Sequence, residues 1–155
     1  MPHPSDMTDD SGGKGDLWMD AIEAEKRGDR EESLRVCREL VIGEPDNSDA
    51  WMMIARMELP APTKGKQEMP SLVQTAKSVT ALKKVVQLDP ENRRAWDLGG
   101  TLLVDHLGMM EDALTWWEER RGHAPTEVTP LIEQVSILVR MGYYDCLLYT
   151  SDAAD

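Results

Sequence analysis

From Leu17 onward, apolar side chains recur at helical spacing. Leu17, Ala21 and Ala24 share one face, Gly28 and Asp29 interrupt it, and Leu34, Cys37, Leu40 and Val41 resume the period. This pattern predicts a helix, a tight turn and a second helix. The turn has a chemical logic: Gly28 suits the left-handed conformation that ends a helix, Asp29 suits an N-cap, and Glu32 completes a capping-box pattern. Pro45 closes the second helix, Asn47 or Ser48 offers the next N-cap, and a new apolar run opens at Ala50 and Trp51.

The pattern then repeats. EPDNSDAW (44–51) returns as DPENRRAW (89–96), with the acid, proline, second acid, asparagine, alanine and tryptophan in the same order. Pro45 and Pro90 lie 45 residues apart, and Pro90 and Pro125 lie 35 apart. The second spacing is close to a helix-pair repeat of about 34 residues, and the first exceeds that by roughly 11. PAPTKGKQEMP (60–70), with three prolines, a glycine and no apolar period, accounts for the excess as an insertion loop between the helices of the second repeat.

On these residues the chain resembles the tetratricopeptide repeat (TPR) family. The family's first-helix pattern is met by Trp51, Ile54 and Ala55 and again by Trp96, Gly99 and Gly100. On the second helices its small position matches Ser33, Ser78 and Ala113, and its aromatic position matches Cys37, Leu82 and Trp117. GDREESL and GMMEDAL resemble its inter-helix turn. The match departs at Asp20 and Glu58, where the family usually has Leu and Tyr.

The resemblance implies an all-α fold, a TPR-like right-handed helical solenoid of antiparallel helix pairs. It covers 17–145 as about 3.5 repeats, with seven helices expected between Leu17 and Met141. Residues 131–138 would form a fourth first helix, and Gly142–Asp145 would open its second. Residues 1–16, polar and without apolar period, are expected to be a disordered acidic tail. Residues 146–155 are expected to be a disordered or non-native tail, because LLYTSDAAD (147–155) abandons the pattern and resembles a translated sequencing adaptor. The expectation is therefore a fragment whose natural protein continues differently beyond about Asp145.

Helix pairs of this family stack so that the first helices line a concave groove. By resemblance, the partner-binding residues would be Trp18, Ile22, Met52, Arg56, Asp97, Thr101, Ile132 and Ser136. Such a mixture suits an extended peptide or an amphipathic helix, with adaptable apolar contacts and a charge fixing register. Trp51, Trp96 and Trp117 are expected in the core, and Trp116, beside Trp117, is expected to be partly exposed or packed on the following repeat. The family's clamp for chaperone-tail carboxylates falls on Trp18, Ile22, Met53, Arg94 and Leu98, where Arg94 alone has suitable chemistry, so capture of such tails is not expected.

Charge narrows the partners. Lys and Arg total 17 against 29 Asp and Glu, a net charge of -12, which opposes nucleic-acid binding. No apolar run approaches the roughly 18 residues of a membrane span, and the N-terminus lacks a secretory pattern. Cys37 and Cys146 have no metal or redox spacing and read as free thiols. A cytoplasmic location follows as an expectation.

No nucleophile sits beside a base, His3, His106 and His123 are isolated, and the GGKG of 12–15 follows no strand, so no enzyme, metal or cofactor is expected. Met52, Met53, Met57, Met109 and Met110 read as gap-fillers. The leading expectation is a protein–protein interaction adaptor. The alternative is a structural assembly subunit whose repeats pack against itself or the rest of a longer chain, with self-association through an uncapped C-terminal end.

Overall fold

The computed structural model of the chain describes residues 9–66 and 68–153, with side-chain surroundings over 16–66 and 68–142. Among the described residues there are seven α-helices and no strand: α1 (Asp9–Lys26), α2 (Arg30–Gly43), α3 (Ser48–Met57), α4 (Leu72–Leu88), α5 (Arg93–Thr101), α6 (Met110–His123) and α7 (Thr129–Ala153). A π-helical stretch, Leu102–His106, extends α5. The chain forms two compact units divided after Asp89, the first holding α1 to α4 and the second α5 to α7.

In the first unit, each helix packs on the next in sequence. Gly28 has φ 78°, and the Asp29 carboxylate accepts from the Glu32 amide at 3.1 Å. The Glu32 carboxylate does not return to the cap; it holds Arg35 at 2.6 and 3.0 Å instead, so only half of the expected box forms. The full reciprocal box is at Ser71 and Gln74, which open α4.

The repeated Pro-x-Asn-x-x-Ala-Trp phrase is one hydrogen-bonded turn. Asn47 and Asn92 cap α3 and α5 by accepting from the amides of Ala50 (3.0 Å) and Ala95 (3.1 Å). Trp51 and Trp96 each donate their indole N–H back to the carbonyl of Pro45 and Pro90, both at 2.8 Å.

The small second-helix positions are closest-approach points. Ser33 Oγ donates to the Ala21 carbonyl at 3.1 Å, and Ser78 Oγ to that of Ala55 at 2.7 Å, both buried. Glu58, one of the departures from the family pattern, is buried and paired with Arg38. Arg30 donates to the carbonyls of Arg56 (2.6 Å) and Leu59 (2.8 Å), tying α2 to the base of the insertion.

In the second unit the same positions are filled by an exchange of volume between helices. Trp116 lies against Gly99, where an added Cβ would come 2.3 Å from its ring, and Trp117 lies against Gly100, where the closest approach would be 2.4 Å. Their counterparts in the first unit are Ile54 with Ala81 and Ala55 with Leu82, all buried. Bulk on the first helix there is replaced by bulk on the second helix here. Trp116, expected to be partly exposed or packed on the following repeat, is instead buried against the preceding helix α5. It is 4 % exposed, its ring lies 4.8 Å from that of Trp96 at a tilt of 58°, and it donates to the Trp96 carbonyl at 2.9 Å.

Trp51 is the converse correction, being only half-buried. By register, the residues corresponding to Trp116, Arg120 and His123, which surround Trp96, are Ala81, Val85 and Leu88 in α4, none of them aromatic or charged.

The ends also differ from expectation. Helix α1 begins at Asp9, within the segment read as a tail, whose residues 1–8 lie outside the described residues. Helix α7 runs unbroken for 25 residues, through Gly142–Asp145 where a turn was expected and on through most of the segment read as a tail.

Candidate functional site

None of the eight partner-facing candidates is buried. In the first unit, Trp18 and Ile22 sit one turn apart on α1, and Met52 and Arg56 one turn apart on α3; all four are partly exposed. Between Met52 and Arg56, by contrast, Met53, Ile54 and Ala55 are all buried. The two helices are joined on this side, because Arg56 Nη2 pairs with Glu25 Oε1 at 2.7 Å. Arg56 therefore already has a carboxylate partner, and a ligand's acidic group would compete with Glu25. Burial and the nearby Arg56 charge hold the Arg30 guanidinium below its ordinary pKa. Cys37, buried in the same unit, is pushed up to about 11 by burial, which keeps it a neutral, unreactive thiol.

In the second unit, Asp97 and Thr101 are exposed one turn apart on α5. Asp97 joins Arg93, Trp96, Trp117, Arg120, Glu127, Val128, Thr129 and Pro130 around a cavity of about 300 Å³. Ile132 and Ser136 are exposed on α7 but line neither this cavity nor a second one between α6 and α7.

The cavity's wall is a charged network that spacing alone did not reveal. Arg120 is 2 % exposed and grips Glu127 with two hydrogen bonds, 2.9 and 2.6 Å. It also donates to the Pro90 carbonyl at 2.6 Å and lies 5.9 Å over the Trp96 ring. Arg93, largely exposed, reaches the same Glu127 at 3.0 Å. The indole N–H of Trp117 is buried with no acceptor among the described residues. A wall carrying Arg93, Asp97, the Thr129 hydroxyl and apolar rings suits a peptide segment, which brings both donors and acceptors.

The Arg120 hydrogen bonds hold the Glu127 carboxyl below its ordinary value. Such a depressed acid stabilises the fold above its unfolded pKa, and that contribution is lost as pH falls through the folded value. Glu127→Gln is therefore expected to lower the urea midpoint of the protein at neutral pH, and the gap to wild type should close below the ordinary value of 4.5. Equal midpoints at pH 7 would show that the pair contributes nothing.

Among the described residues no group of His, Cys, Asp or Glu is arranged to hold a metal ion, and no helix is long and apolar enough to cross a membrane.

The sequence matches no protein-family model and no curated protein. Solved structures do resemble it. The crystal structure of MamA protein superposes with a TM-score of 0.61 at 13% identity over 85% of this chain, which spans 66% of that protein. The first TPR of Spaghetti (RPAP3), solved with an HSP90 peptide, gives 0.55 at 16% identity over 83% of this chain and 95% of the other. The second TPR domain of human RPAP3, solved with an HSP70 peptide, gives 0.53 at 13% identity over 80% and 97%. The fold is all-α and TPR-like.

Proposed function

We propose that the protein is a non-enzymatic, cytoplasmic interaction adaptor that binds a peptide or helix of a partner along its first helices. The observation that carries this reading is the exposure of Met52, Asp97 and Thr101 directly beside the buried Met53, Trp96, Gly100 and Leu102. The cavity at Asp97 supplies a place for a polar anchor from the bound segment. The similar TPR domains solved with HSP90 and HSP70 peptides support peptide binding as a use of this fold. Their ligand chemistry does not transfer, because the clamp positions here include Trp18, Ile22 and the buried Met53.

Photo-crosslinking residues placed at Met52, Asp97 or Thr101 should capture a common protein, while the same residue at Arg35 or Lys84, exposed on second helices, should not. Capture from Arg35 or Lys84 alone would place binding elsewhere.

A structural assembly role is the second reading. It is favoured by α7, where Leu131, Ile132, Val135, Leu138 and Val139 are all at least 48 % exposed. Concentration-dependent light scattering of the isolated protein would support it, and a constant monomer mass would end it.

A further inference from the structure

The outward faces of the second helices differ in charge at equivalent positions. Aligning Ser33, Ser78 and Ala113 puts Glu32, Arg38 and Glu39 of α2 in register with Lys77, Lys83 and Lys84 of α4 and with Asp112, Glu118 and Glu119 of α6. On α2 the signs alternate and neutralise one another: Arg35 pairs with Glu32 at 2.6 Å and with Glu39 at 3.4 Å, and Arg38 pairs with Glu58. On α4 all three are lysine, exposed, and without a carboxylate partner among the described residues. On α6 all three are acidic and exposed. Arg121 (3.2 Å) and Gln134 (2.8 Å) engage Glu118, whereas Asp112 and Glu119 have no partner among the described residues.

Resting on the assembly reading, we propose that a second copy of this chain docks its α6 face on the α4 face. The two faces match in spacing as well as in sign. On each, a threonine, Thr80 or Thr115, stands between charged positions seven residues apart, which is about 10 Å along a helix. Laid antiparallel, Lys77 of one copy meets Glu119 of the other, Thr80 meets Thr115, and Lys84 meets Asp112. The same register sets Leu88, 40 % exposed, beside Met109, 44 % exposed. It also brings the C-terminal end of α4 to the N-terminal end of α6, where the helix dipoles attract.

The overall charge argues for this occupant over larger anions. Residues 60–88 hold five lysines against one glutamate, a net +4 in a chain of -12, so the remaining residues carry -16. An anionic bilayer or a nucleic-acid duplex extends past the α4 face and meets that repulsion. A single helix face does not, because screening over about 8 Å at physiological salt confines the interaction to the side chains that meet. Exposed ion pairs are individually weak, so the contact is weak, and salt weakens it further.

Light scattering of the intact protein should show a mass that rises with concentration toward about 1 mM and returns toward the monomer at about 0.5 M salt. Lys77→Glu with Lys84→Glu, and separately Asp112→Lys with Glu119→Lys, should each weaken self-association at least about tenfold. Mixed in equal amounts, the two variants should associate again, since each supplies the sign that the other lacks. Their net charges, shifted by four from -12 to -16 and -8, are both negative, so the recovery would not be a bulk attraction. Lys26→Glu with Arg27→Glu, exposed residues of the first unit, makes the same charge change as the lysine variant and should leave association within about twofold of wild type. All six substituted side chains are exposed, so circular dichroism should match wild type throughout.

A constant monomer mass would overturn the proposal together with the assembly reading. Association that survives both charge variants, a mixture that stays monomeric, or a control that weakens association as much as the lysine variant would overturn the proposal alone and leave the copies held elsewhere. A crosslinker at Lys84 should capture only this chain, so capture of a different protein from Met52, Asp97 or Thr101 succeeds or fails independently.

Discussion

Gly99→Ile should strongly destabilise the second unit, and Trp116→Ala should do the same, yet the two together should cost clearly less than their sum. An added Cβ at Gly99 would stand 2.3 Å from Cζ2 of Trp116, a ring held on its other side by Trp96 and by its own hydrogen bond to the Trp96 carbonyl. The ring cannot swing aside, so overpacking of about 1–3 kcal/mol or more is expected for the first change alone. Removing the ring alone leaves a cavity and costs about 3–5 kcal/mol. The double variant recreates the Ile54 and Ala81 combination that the first unit buries at the same positions. A coupling energy of about 1–3 kcal/mol toward stability is expected from urea titrations of the four proteins by circular dichroism. Simple additivity would mean that α5 and α6 do not exchange volume in this way.

That exchange also shows where the sequence was legible. The repeated Pro-x-Asn-x-x-Ala-Trp phrase was recognisable because its fixed residues act locally, the asparagine as a cap and the tryptophan by reaching back to the proline carbonyl. Interactions confined to seven or eight neighbouring residues leave a mark in the linear order. The insertion at 60–70 was visible for a similar reason, since proline and glycine act through the backbone alone.

The misreadings concern what lies across from a residue. Trp116 was expected to be partly exposed or packed on the following repeat because adjacent helical side chains diverge by about 100°. Two glycines on the facing helix open a recess wide enough for both rings, and nothing local to α6 announces them. The unbroken run of α7 was likewise hidden, because Gly142 reads as a break only in an isolated helix pattern. Of the candidate site, the exposure of the eight residues followed from their register, whereas the Arg56 pairing with Glu25 and the Arg120 bond to the Pro90 carbonyl join residues 31 and 30 positions apart that no local pattern links.

The two equivalent tryptophans then provide an internal control on burial. Trp96→Ala is expected to cost about 3–5 kcal/mol, since the ring is 1 % exposed, packs against Trp116 and lies beneath the Arg120 guanidinium. Trp51→Ala should cost about 1–2 kcal/mol, because the partly exposed ring loses less apolar burial and leaves a dent open to water instead of a closed cavity. Trp→Phe separates the remaining contribution. Both indoles donate to a proline carbonyl at 2.8 Å, so the conservative change should remove about 0.5–1.5 kcal/mol at either site. Urea midpoints of the four variants would measure this. Equal costs for the two alanine variants would show that burial does not distinguish the sites. A larger cost at Trp51 would show that the α3–α4 pair covers that ring more fully than its exposure indicates.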